Sequence, residues 1–452
     1  MSASRVRFRL SPTRRRRPGR GWAVGVLAGV GLVLAACGSS GPARTASSST
    51  PRQSSAGTSA AGGTSSARGS SSTPSSTTAA CLRDAEPTPS SLTAPALASV
   101  QFVSTSTGWA AGAAGILATT NGGTLWRTQL STSQVVGQVD FVSAADGWAV
   151  AEDELLGTTD GGRCWQALGE PSVGHLRTVH FVSPTLGFGV AGGTAPLLGQ
   201  GEKPPGDEGF GQAFAPVPPR QGGKLVMTSD GGRHWTVLSG APANAQSVCF
   251  VSPTLGWLGA GGGLYRSTDG GTSWTLVADP GAASGRAPAG TDLVDLDCGA
   301  PAELAAVVNT GGAAAGNQPW ALAAGSGGTS LGVLQADMFD GAPLDTPVSP
   351  GSYPGVVSVI GNGVFAAAGW TPAASAPEMA KVEVLRTDGT VLQPARGVPS
   401  LGDPTGLAFL SGQEGWVVGV AATGGSLQPS QGVIEKTTDG GASWVLQDRP
   451  EG

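Results

Sequence analysis

Three features of the sequence predict an all-β protein built from repeated four-stranded units. A closing phrase of Thr or Ser, Asp or Asn, two Gly, two variable residues and Trp occurs five times. Each copy follows a Gly-Trp or Gly-Phe pair and a short apolar segment, and complete neighbouring copies lie about 40 residues apart. An internal period of this length built from short strands is typical of a β-propeller, in which every repeat forms one blade.

The number of blades follows from the spacing of the first strand in each repeat. Four clear copies contain Phe102, Phe141, Phe181 and Phe250. They are separated by 39, 40 and 69 residues, and the long step indicates a normal repeat with an inserted loop, because loops absorb added length. The 159 residues from Phe250 to Phe409 leave room for two further blades, and weak strand patterns occur at 294–308 and 357–370. The sequence therefore predicts seven blades, with six as the alternative.

Blade 2 shows the predicted order of elements within one repeat. Residues 139–143 form the innermost strand, 147–150 the second and 155–159 the third. The closing phrase is then a hairpin turn to the outer strand, because Gly adopts positive φ freely and the Asp carboxylate can accept hydrogen bonds from turn N–H groups. The Trp, predicted on the outer strand, offers a large apolar surface to a neighbouring layer. These structural roles are predicted for Asn121, Asp160, Asp230, Asp269 and Asp439, and for Trp126, Trp165, Trp235, Trp274 and Trp444.

These repeats resemble the Asp-box (BNR) repeat propellers, and most closely the branch typified by the photosystem II assembly and stability factor. The likeness is carried by the segment from Phe250 to Trp257 and its copies, and it extends over roughly Ser99 to Leu446. The resemblance implies a propeller fold and, through that branch, a role in assembly. It is less specific for function, because Asp boxes occur in sialidases, in sorting receptors and in binding propellers alike.

The first 36 residues are predicted to be a lipoprotein signal peptide. Eight Arg residues precede or flank a 15-residue apolar run from Trp22 to Ala36, which is short for a transmembrane helix and has the flanks of an export signal. Leu34-Ala35-Ala36-Cys37 matches a bacterial lipobox, and this resemblance implies cleavage before Cys37 and lipid attachment to its sulfur. The alternative is an ordinary export signal with a chance Cys.

Residues 37–80 and 81–452 are predicted to form a tether and the propeller domain. The tether is mostly Ser, Thr, Ala and Gly, and it cannot bury enough apolar surface to offset the entropy of ordering. A lipid followed by a flexible segment would hold the domain at the extracytoplasmic face of the cell membrane. Loss of the eight Arg of the signal leaves 18 basic and 31 acidic residues, a formal charge of −13, which argues against nucleic acid as a partner.

The cysteine content predicts two disulfide bonds in an exported protein. With Cys37 used for lipid attachment, Cys81, Cys164, Cys249 and Cys298 remain, and four cysteines allow three pairings. Cys249 and Cys298 fall on the innermost strands of adjacent blades, so we favour that pair, which leaves Cys81 with Cys164. The alternative is a set of buried free thiols.

Catalytic and metal-binding motifs give little support for an enzyme. The three His residues, His175, His180 and His234, lack the spacing of a metal site, and the sequence has no Cys-x-x-Cys. A sialidase needs an Arg triad, a Tyr nucleophile paired with Glu and an Asp acid, but the chain has two Tyr, of which Tyr265 lies beside a closing phrase. We therefore expect a protein without catalytic residues, bound metal or cofactor.

The turns between the second and third strands lie opposite the closing phrases and carry the most irregular sequence. Blade 3 has its insertion there, from Gly193 to Gly223. The candidate binding residues at these turns are Glu152, Asp153, Glu154, Asp207, Glu208, Phe210 and Phe214. An acidic, partly aromatic rim on a rigid disc favours a protein or cation partner, and the alternative is a solvated loop with no ligand.

Two functional classes stay open at this point. The first is a non-enzymatic, membrane-tethered propeller that binds an envelope or exported protein, as an assembly scaffold by the family resemblance. The second is a glycan-binding or sialidase-like, glycan-active propeller. A glycan site would need aromatic and carboxylate side chains that converge at the centre of the disc.

Overall fold

The protein is a seven-bladed β-propeller in a computed structural model. The structure describes residues 81–82, 96–113, 115–152, 154–169, 171–193, 222–279, 292–309, 320–326, 331–335, 353–371, 379–422 and 431–447. Regular secondary structure in these ranges is entirely β, and none of it is a helix that could span a membrane. The predicted signal peptide, the lipidation site Cys37 and the tether lie outside the described residues.

The described strands form seven antiparallel sheets, each made of four consecutive strands. Blades 1 to 4 comprise β1 (Leu97–Phe102), β2 (Gly108–Gly112), β3 (Gly115–Thr119), β4 (Arg127–Ser131); β5 (Val136–Phe141), β6 (Gly147–Ala151), β7 (Leu155–Thr158), β8 (Gln166–Ala167); β9 (Leu176–Phe181), β10 (Gly187–Ala191), β11 (Lys224–Thr228), β12 (Thr236–Val237); and β13 (Ala245–Phe250), β14 (Gly256–Ala260), β15 (Gly263–Ser267), β16 (Thr275–Ala278).

Blades 5 to 7 have the same four-stranded plan with longer inner strands. They comprise β17 (Asp292–Gly299), β18 (Glu303–Asn309), β19 (Trp320–Ser326), β20 (Gly332–Gln335); β21 (Tyr353–Gly361), β22 (Val364–Thr371), β23 (Met379–Arg386), β24 (Val391–Gly397); and β25 (Leu401–Phe409), β26 (Gly415–Ala421), β27 (Gly432–Thr437), β28 (Val445–Leu446). The prediction of seven blades is confirmed, including blades 5 and 6, for which the sequence shows only weak strand patterns.

The first strand of each blade lies at the centre of the ring. First strands of successive blades pack against one another, from β1 and β5 through to β25, which packs back against β1. The Thr405 hydroxyl donates a hydrogen bond to the Leu97 carbonyl at 2.6 Å, so blades 7 and 1 contact each other directly. Each blade is made of its own four strands, so the ring closes through side-chain packing and hydrogen bonds rather than strand exchange.

Aromatic pairs join neighbouring blades. The Phe that ends a first strand stacks on a second-strand aromatic of the preceding blade. These pairs are Trp109–Phe141 and Trp148–Phe181 at 3.5 Å between ring centroids, and Phe188–Phe250 and Trp416–Phe102 at 3.6 Å. The same Phe meets the closing-phrase Trp of its own blade edge-on, at 5.8 to 6.1 Å. Such pairs each contribute about 0.5–1.5 kcal/mol beyond burial of their area, so the repeated Phe and Trp hold the blades together.

The Gly before the second-strand aromatic is required by the same Phe. Gly108 pairs directly with Phe102 across β1 and β2, and the Phe ring lies over it. A Cβ at Gly108 would be 2.6 Å from three carbon atoms of that ring, which is closer than carbon atoms can approach. The Phe–Gly pairing recurs in blades 2, 3, 4 and 7. The order Phe, then Gly-Trp, in the sequence therefore has a single steric cause.

Each closing phrase is held by a hydroxyl group that precedes it. In blade 4, Ser267 Oγ donates to Asp269 Oδ1 at 2.8 Å and accepts from Gly271 N at 2.9 Å, while Asp269 Oδ1 accepts from Ser273 N at 2.9 Å. The hydrogen bonds from the Ser273 hydroxyl and N–H, with that from Ser267, lower the pKa of Asp269 to about 2. The same carboxylate or amide contacts are made by Asn121, Asp160, Asp230 and Asp439.

The Trp of each closing phrase was predicted on the fourth strand, but it lies immediately before that strand. Trp126, Trp165, Trp235, Trp274 and Trp444 each precede the start of the outer strand by one residue. In this position the indole contacts the Phe of the first strand edge-on. Trp126 and Trp165 are fully buried as a result.

Candidate functional site

Two disulfide bonds fix the ring at its centre and at its edge. Cys249 and Cys298 join β13 and β17 with their Cα atoms 6.0 Å apart, and Cys81 joins Cys164 with a Cα separation of 5.2 Å. Both predicted pairings are confirmed. Beside the second bond, Leu82 N donates to the Trp165 carbonyl at 2.7 Å, so this segment is fixed to the outer edge of blade 2. Two disulfides are typical of proteins in oxidising compartments.

Polar side chains of the first strands connect each blade to the next. Neighbouring first strands are not paired with each other, so their facing backbone groups need side-chain partners. N–H groups of the following blade are accepted by Gln101 (Phe141), Asp140 (Phe181), Gln246 (Leu293), Asp295 (Val357), Asp297 (Val359) and Ser358 (Phe409), at 2.6 to 3.1 Å. These contacts make the central acids part of the joints between blades.

Burial changes the ionisation of three central carboxyl groups. Burial raises the pKa of Asp295 to about 7, against the lowering effect of the Val357 N–H. Burial also raises the pKa of Asp297 and of Asp140, and in Asp140 the nearby His180 opposes the change. A glycan-active propeller would use free carboxyl groups at its centre. Here each of the three already accepts an N–H from the next blade.

His180, Cys249 and Cys298 bring possible metal-ligand atoms within 4.8 Å of one another. The two sulfur atoms are bonded to each other, however, and a thiolate is the form of Cys that binds metals. The His180 Nε2 atom lies 2.8 Å from the Phe250 carbonyl, in contact with the next blade. With the disulfide formed, this group of residues is a joint between blades 3, 4 and 5.

The predicted acidic rim is described only in part. Glu152 and Glu154 lie on the turn between β6 and β7, where Glu152 is exposed and Glu154 is partly buried. The Glu154 carbonyl accepts the Ala151 N–H at 3.0 Å, which closes the turn. The other candidate binding residues, Asp153, Asp207, Glu208, Phe210 and Phe214, lie outside the described residues.

A groove with a volume of about 490 Å³ opens between blades 6 and 7. It lies at the closing-phrase end of the blades, between the β21–β22 turn, β24, the β25–β26 turn and the blade 7 closing phrase. Its apolar lining consists of Ile360, Val364, Val384, Leu392 and Leu410, and its polar side chains are Asn362, Gln393, Ser411, Gln413 and Asp439. This volume is within the range of about 300–1,000 Å³ that is usual for ligand pockets.

At the junction beside the groove, the second-strand aromatic of the repeat is replaced by Ala, and this Ala does not line the groove. In blade 1, Trp109 pairs with Gln101, the residue that accepts the Phe N–H of the next blade. Ser358 is the corresponding acceptor in blade 6, and its partner across β21 and β22 is Ala366. Blade 7 nevertheless keeps Phe409 on the other side of the junction. Phe409 is only 6% exposed and packs with Ala366 in one core cluster, so other side chains fill the place of the usual Trp.

The junction between blades 5 and 6 has no comparable mismatch. Blade 5 also has Ala at the Trp position, because Ala305 pairs with Asp297. The next blade, however, has Val359 in place of Phe, and Asp297 accepts its N–H. Ala305 and Val359 therefore belong to one hydrophobic cluster, into which the buried Phe365 also packs.

A carbonyl group in the groove lacks the indole donor that three of its equivalents have. The indole N–H of the second-strand Trp donates to the first Gly carbonyl of the next closing phrase. These bonds are Trp109 to Gly161 at 3.2 Å, Trp148 to Gly231 at 3.0 Å and Trp416 to Gly122 at 3.2 Å. The equivalent in blade 7 is the Gly440 carbonyl, to which no residue in the described part of the chain donates, and Gly440 lines the groove.

Neither this groove nor the role of the central acids is predicted from the sequence. The run Phe365-Ala366-Ala367 and the incomplete phrase at 387–390 indicate that blade 6 departs from the repeat, but not that a cavity results. The acids at 140, 295 and 297 alternate with apolar residues along first strands, which is a signal for one polar face toward a neighbouring blade.

The fold and these sites define a seven-bladed β-propeller with two disulfides and an open groove between two blades. No protein-family model matches the chain, and no characterised protein sequence matches it. Among solved structures, it is similar to YCF48 bound to D1 peptide, with 16% identity and a TM-score of 0.47 over 79% of this chain and 97% of that one.

Two enzymes are also among the similar solved structures. One is the GH74 xyloglucanase from Xanthomonas campestris, with 13% identity and a TM-score of 0.49 over 78% of this chain. The other is a Mycobacterium tuberculosis puromycin-hydrolyzing peptidase, with 12% identity and a TM-score of 0.46 over 78% of this chain. This chain spans about half the length of each, 55% and 52%. With such identities and TM-scores, none of these similarities extends to function.

Proposed function

We propose that this protein is a non-enzymatic, extracytoplasmic β-propeller that is tethered to the cell membrane through a lipid on Cys37 and binds a polypeptide partner. The observation that carries the proposal is the groove between blades 6 and 7. Its lining combines apolar side chains with amide groups, which suits a side chain and backbone of a polypeptide. The repeat resemblance to an assembly-factor branch of propellers supports a scaffold role.

The absence of a catalytic role is supported by the state of the buried acids. Asp140, Asp295 and Asp297 are the carboxyl groups of the described centre with raised pKa values, which is a property that catalytic acids share. Each is already engaged as an acceptor between blades, so loss of the group would loosen the ring. Structural use accounts for these pKa values without a substrate.

The membrane tether is tested by replacing Cys37 with Ser. The processed variant should leave the membrane fraction and lose labelling by a radioactive fatty acid, because its sulfur can no longer carry lipid. The propeller should remain folded, with an unchanged circular dichroism spectrum. Retention of the label at another site, or of the protein in the membrane fraction, would contradict the anchor.

Binding of a polypeptide is tested by photo-crosslinking in intact cells. A benzophenone amino acid is placed at Leu392 in the groove, at Glu152 on the acidic rim and, as a control, at Leu276 on the outer strand of blade 4. Leu392 and Leu276 are exposed to similar extents, 45% and 51%, and both lie on fourth strands. A discrete polypeptide adduct at Leu392 or Glu152, absent at Leu276, supports the proposal. Equal adducts at all three sites, or none at the first two, count against it.

The acidic rim is the second part of the proposed docking surface. It comprises Glu152, Asp153 and Glu154 together with the inserted residues Asp207, Glu208, Phe210 and Phe214. Charge reversal at Glu152, Asp153 and Glu154 should weaken the crosslinked complex, most clearly at low salt, because exposed charges act mainly through screened attraction. An unchanged yield would restrict binding to the opposite end of the blades. A glycan partner would instead give adducts sensitive to periodate.

A further inference from the structure

We propose that a small cavity on blade 4 binds the carboxylate group of a small organic acid. This inference goes beyond the proposed polypeptide-binding function and concerns a different part of the ring. The blade 4 cavity has a volume of about 180 Å³. The described residues that line it are Arg266, Thr268, Ser273, Thr275 and Val277. They supply one cation, three hydroxyl groups and one apolar side chain.

The strand register places this cavity on the face of blade 4 that is directed toward blade 5. Arg266 pairs directly with Trp257 on β14 and with Thr275 on β16. Residues directly opposite one another on neighbouring strands point to the same face of a sheet. Trp257 packs in one cluster with Leu293 and Leu296 of β17, the first strand of blade 5. Arg266 and Thr275 therefore also face the junction between blades 4 and 5.

Blade 7 shows what a cation does at the same position of the repeat. Lys436 pairs directly with Trp416, as Arg266 does with the Trp of its own blade. The Lys436 ammonium group donates to the Gly122 carbonyl of the next closing phrase at 3.1 Å, and the Trp416 indole N–H donates to the same oxygen at 3.2 Å. Lys436 also forms an ion pair with Glu414 at 2.7 Å. A carbonyl and a carboxylate together satisfy this cation.

The corresponding donors of blade 4 have no acceptor. Blade 5 lacks the closing phrase whose first Gly carbonyl would face them. The Trp257 indole N–H and the Arg266 Nε–H are both buried, and neither has a hydrogen-bond partner within the described ranges. Leu255 takes the place of Glu414, because each directly precedes the Gly of its second strand. Arg266 therefore faces the cavity without the oxygen atoms that serve its counterpart, and a bound carboxylate would supply them.

The charges around the cavity select an anion with a single negative charge. Arg266 is the one Lys or Arg in the lining that the structure describes, and its planar group can donate two parallel hydrogen bonds to a carboxylate. The Ser273 hydroxyl already donates to Asp269 Oδ2 at 2.5 Å, so a second carboxylate lies one hydrogen bond away from the cavity. That negative charge would repel a doubly charged phosphate more strongly than a carboxylate.

The fold itself does not require Arg at this position. Ala118 is paired with Trp109 in blade 1, and Gly157 is paired with Trp148 in blade 2, at the place that Arg266 has in blade 4. Both blades form the same four-stranded sheet as blade 4. Removal of the guanidinium group should therefore leave the propeller folded, which makes the site testable by substitution.

The test uses full-length lipidated protein in detergent with ¹⁵N-labelled arginine. The probe is N-acetylglycinate, and its matched neutral control is N-acetylglycinamide, which has an amide in place of the carboxylate. One Arg Nε–H signal, the one that is missing from Arg266→Gln, should shift saturably with N-acetylglycinate. The neutral probe should bind about tenfold more weakly, because a charged acceptor forms the stronger hydrogen bonds with Arg.

Three variants locate the site, with binding followed by saturation transfer to the acetyl methyl group of the probe. Arg266→Gln should weaken binding of N-acetylglycinate about tenfold or more, through loss of the charge. Thr275→Val should weaken it about threefold, through loss of one hydroxyl donor, and Val445 at the same position of blade 7 shows that Val fits. Arg127→Gln, at the Thr275 position of blade 1, removes an exposed Arg and should leave binding unchanged.

The outcomes that overturn the inference are distinct from those that bear on the polypeptide partner. Equal binding of the charged and neutral probes, or equal weakening in Arg266→Gln and Arg127→Gln, would show that no carboxylate site exists on blade 4. Stronger displacement of the probe by inorganic phosphate than by acetate would contradict the choice of a single charge. Tighter binding of polygalacturonate than of galacturonate at equal carboxylate concentration would contradict a small acid as the ligand. None of these results depends on crosslinks at Leu392 or Glu152.

Discussion

Replacement of Trp by Phe should have different effects at two equivalent positions, Trp148 in blade 2 and Trp257 in blade 4. Both lie on second strands and are buried, at 4% and 0% exposure. The Trp148 indole N–H donates to the Gly231 carbonyl of the next blade at 3.0 Å. Trp257 faces blade 5, which has no closing phrase, and its indole N–H is buried with no partner in the parts of the chain that the structure describes.

The expected difference follows from the hydrogen bonds alone. Trp148→Phe leaves the buried Gly231 carbonyl without its donor, which costs about 1–3 kcal/mol, and it also loses some packing of the larger ring. Trp257→Phe loses similar packing but removes an unpaired N–H, which recovers about 1–3 kcal/mol. Phe188 occupies the same position in blade 3, so a phenyl ring fits there. The first variant should therefore be less stable than the second by at least about 2 kcal/mol.

Urea denaturation followed by far-ultraviolet circular dichroism measures both variants on one scale. The midpoint should fall for Trp148→Phe and stay level or rise for Trp257→Phe, with equal slopes. Circular dichroism is preferred to fluorescence because the substitutions themselves remove a Trp. Equal destabilisation of the two variants would show that stacking alone accounts for the junctions and that the indole N–H contributes nothing.

Three further predictions concern the acids and the central disulfide. Because the pKa of Asp295 is raised, the folded state binds its proton more tightly than the unfolded state, and wild-type stability should rise by on the order of 1 kcal/mol per pH unit as pH falls from 7 toward 4. Asp295→Asn should flatten this slope in urea titrations, and an unchanged slope would contradict the assignment. Because the pKa of Asp269 is lowered, its contribution to the stability of the folded state should persist above pH 4 and disappear between pH 4 and 2. Calorimetry should therefore show a lower melting temperature for Asp269→Ala at pH 7 but not at pH 2. Replacing both Cys249 and Cys298 by Ser opens a cross-link between residues 49 apart and should cost about 4 kcal/mol in urea unfolding, whereas a variant as stable as the wild type would show that the bond is absent.

The repeat made most of the fold predictable. The five closing phrases mark blades 1, 2, 3, 4 and 7, because a hairpin turn with two positive-φ Gly residues needs those residues wherever it occurs. The central disulfide was predictable for a related reason, since Cys249 and Cys298 each lie in a recognisable first strand. The hydroxyl before each phrase was missed, because Ser267 and its equivalents read as ordinary strand residues.

The candidate groove was not predictable, because its lining comes from two blades that only the closed ring brings together. Ala366 reads as a small residue in a buried strand, and Phe409 reads as a normal member of the repeat. Only the register of β21 with β22, and the bond from Phe409 N to Ser358, place them at the same junction. The acidic rim was predicted from the sequence, and of its residues the structure places Glu152 and Glu154 on the expected turn.

The sequence by itself determined the blade, and the tertiary structure decided how the blades meet. A blade forms from about 40 consecutive residues, so its turns, strand alternation and Gly positions are local and can be read along the chain. The junctions join residues that are distant in sequence, such as Thr405 and Leu97, which are 308 residues apart. Whether an indole N–H donates to a carbonyl of the next blade depends on which side chains the closed ring brings together. No local sequence pattern specifies which residues of two blades meet.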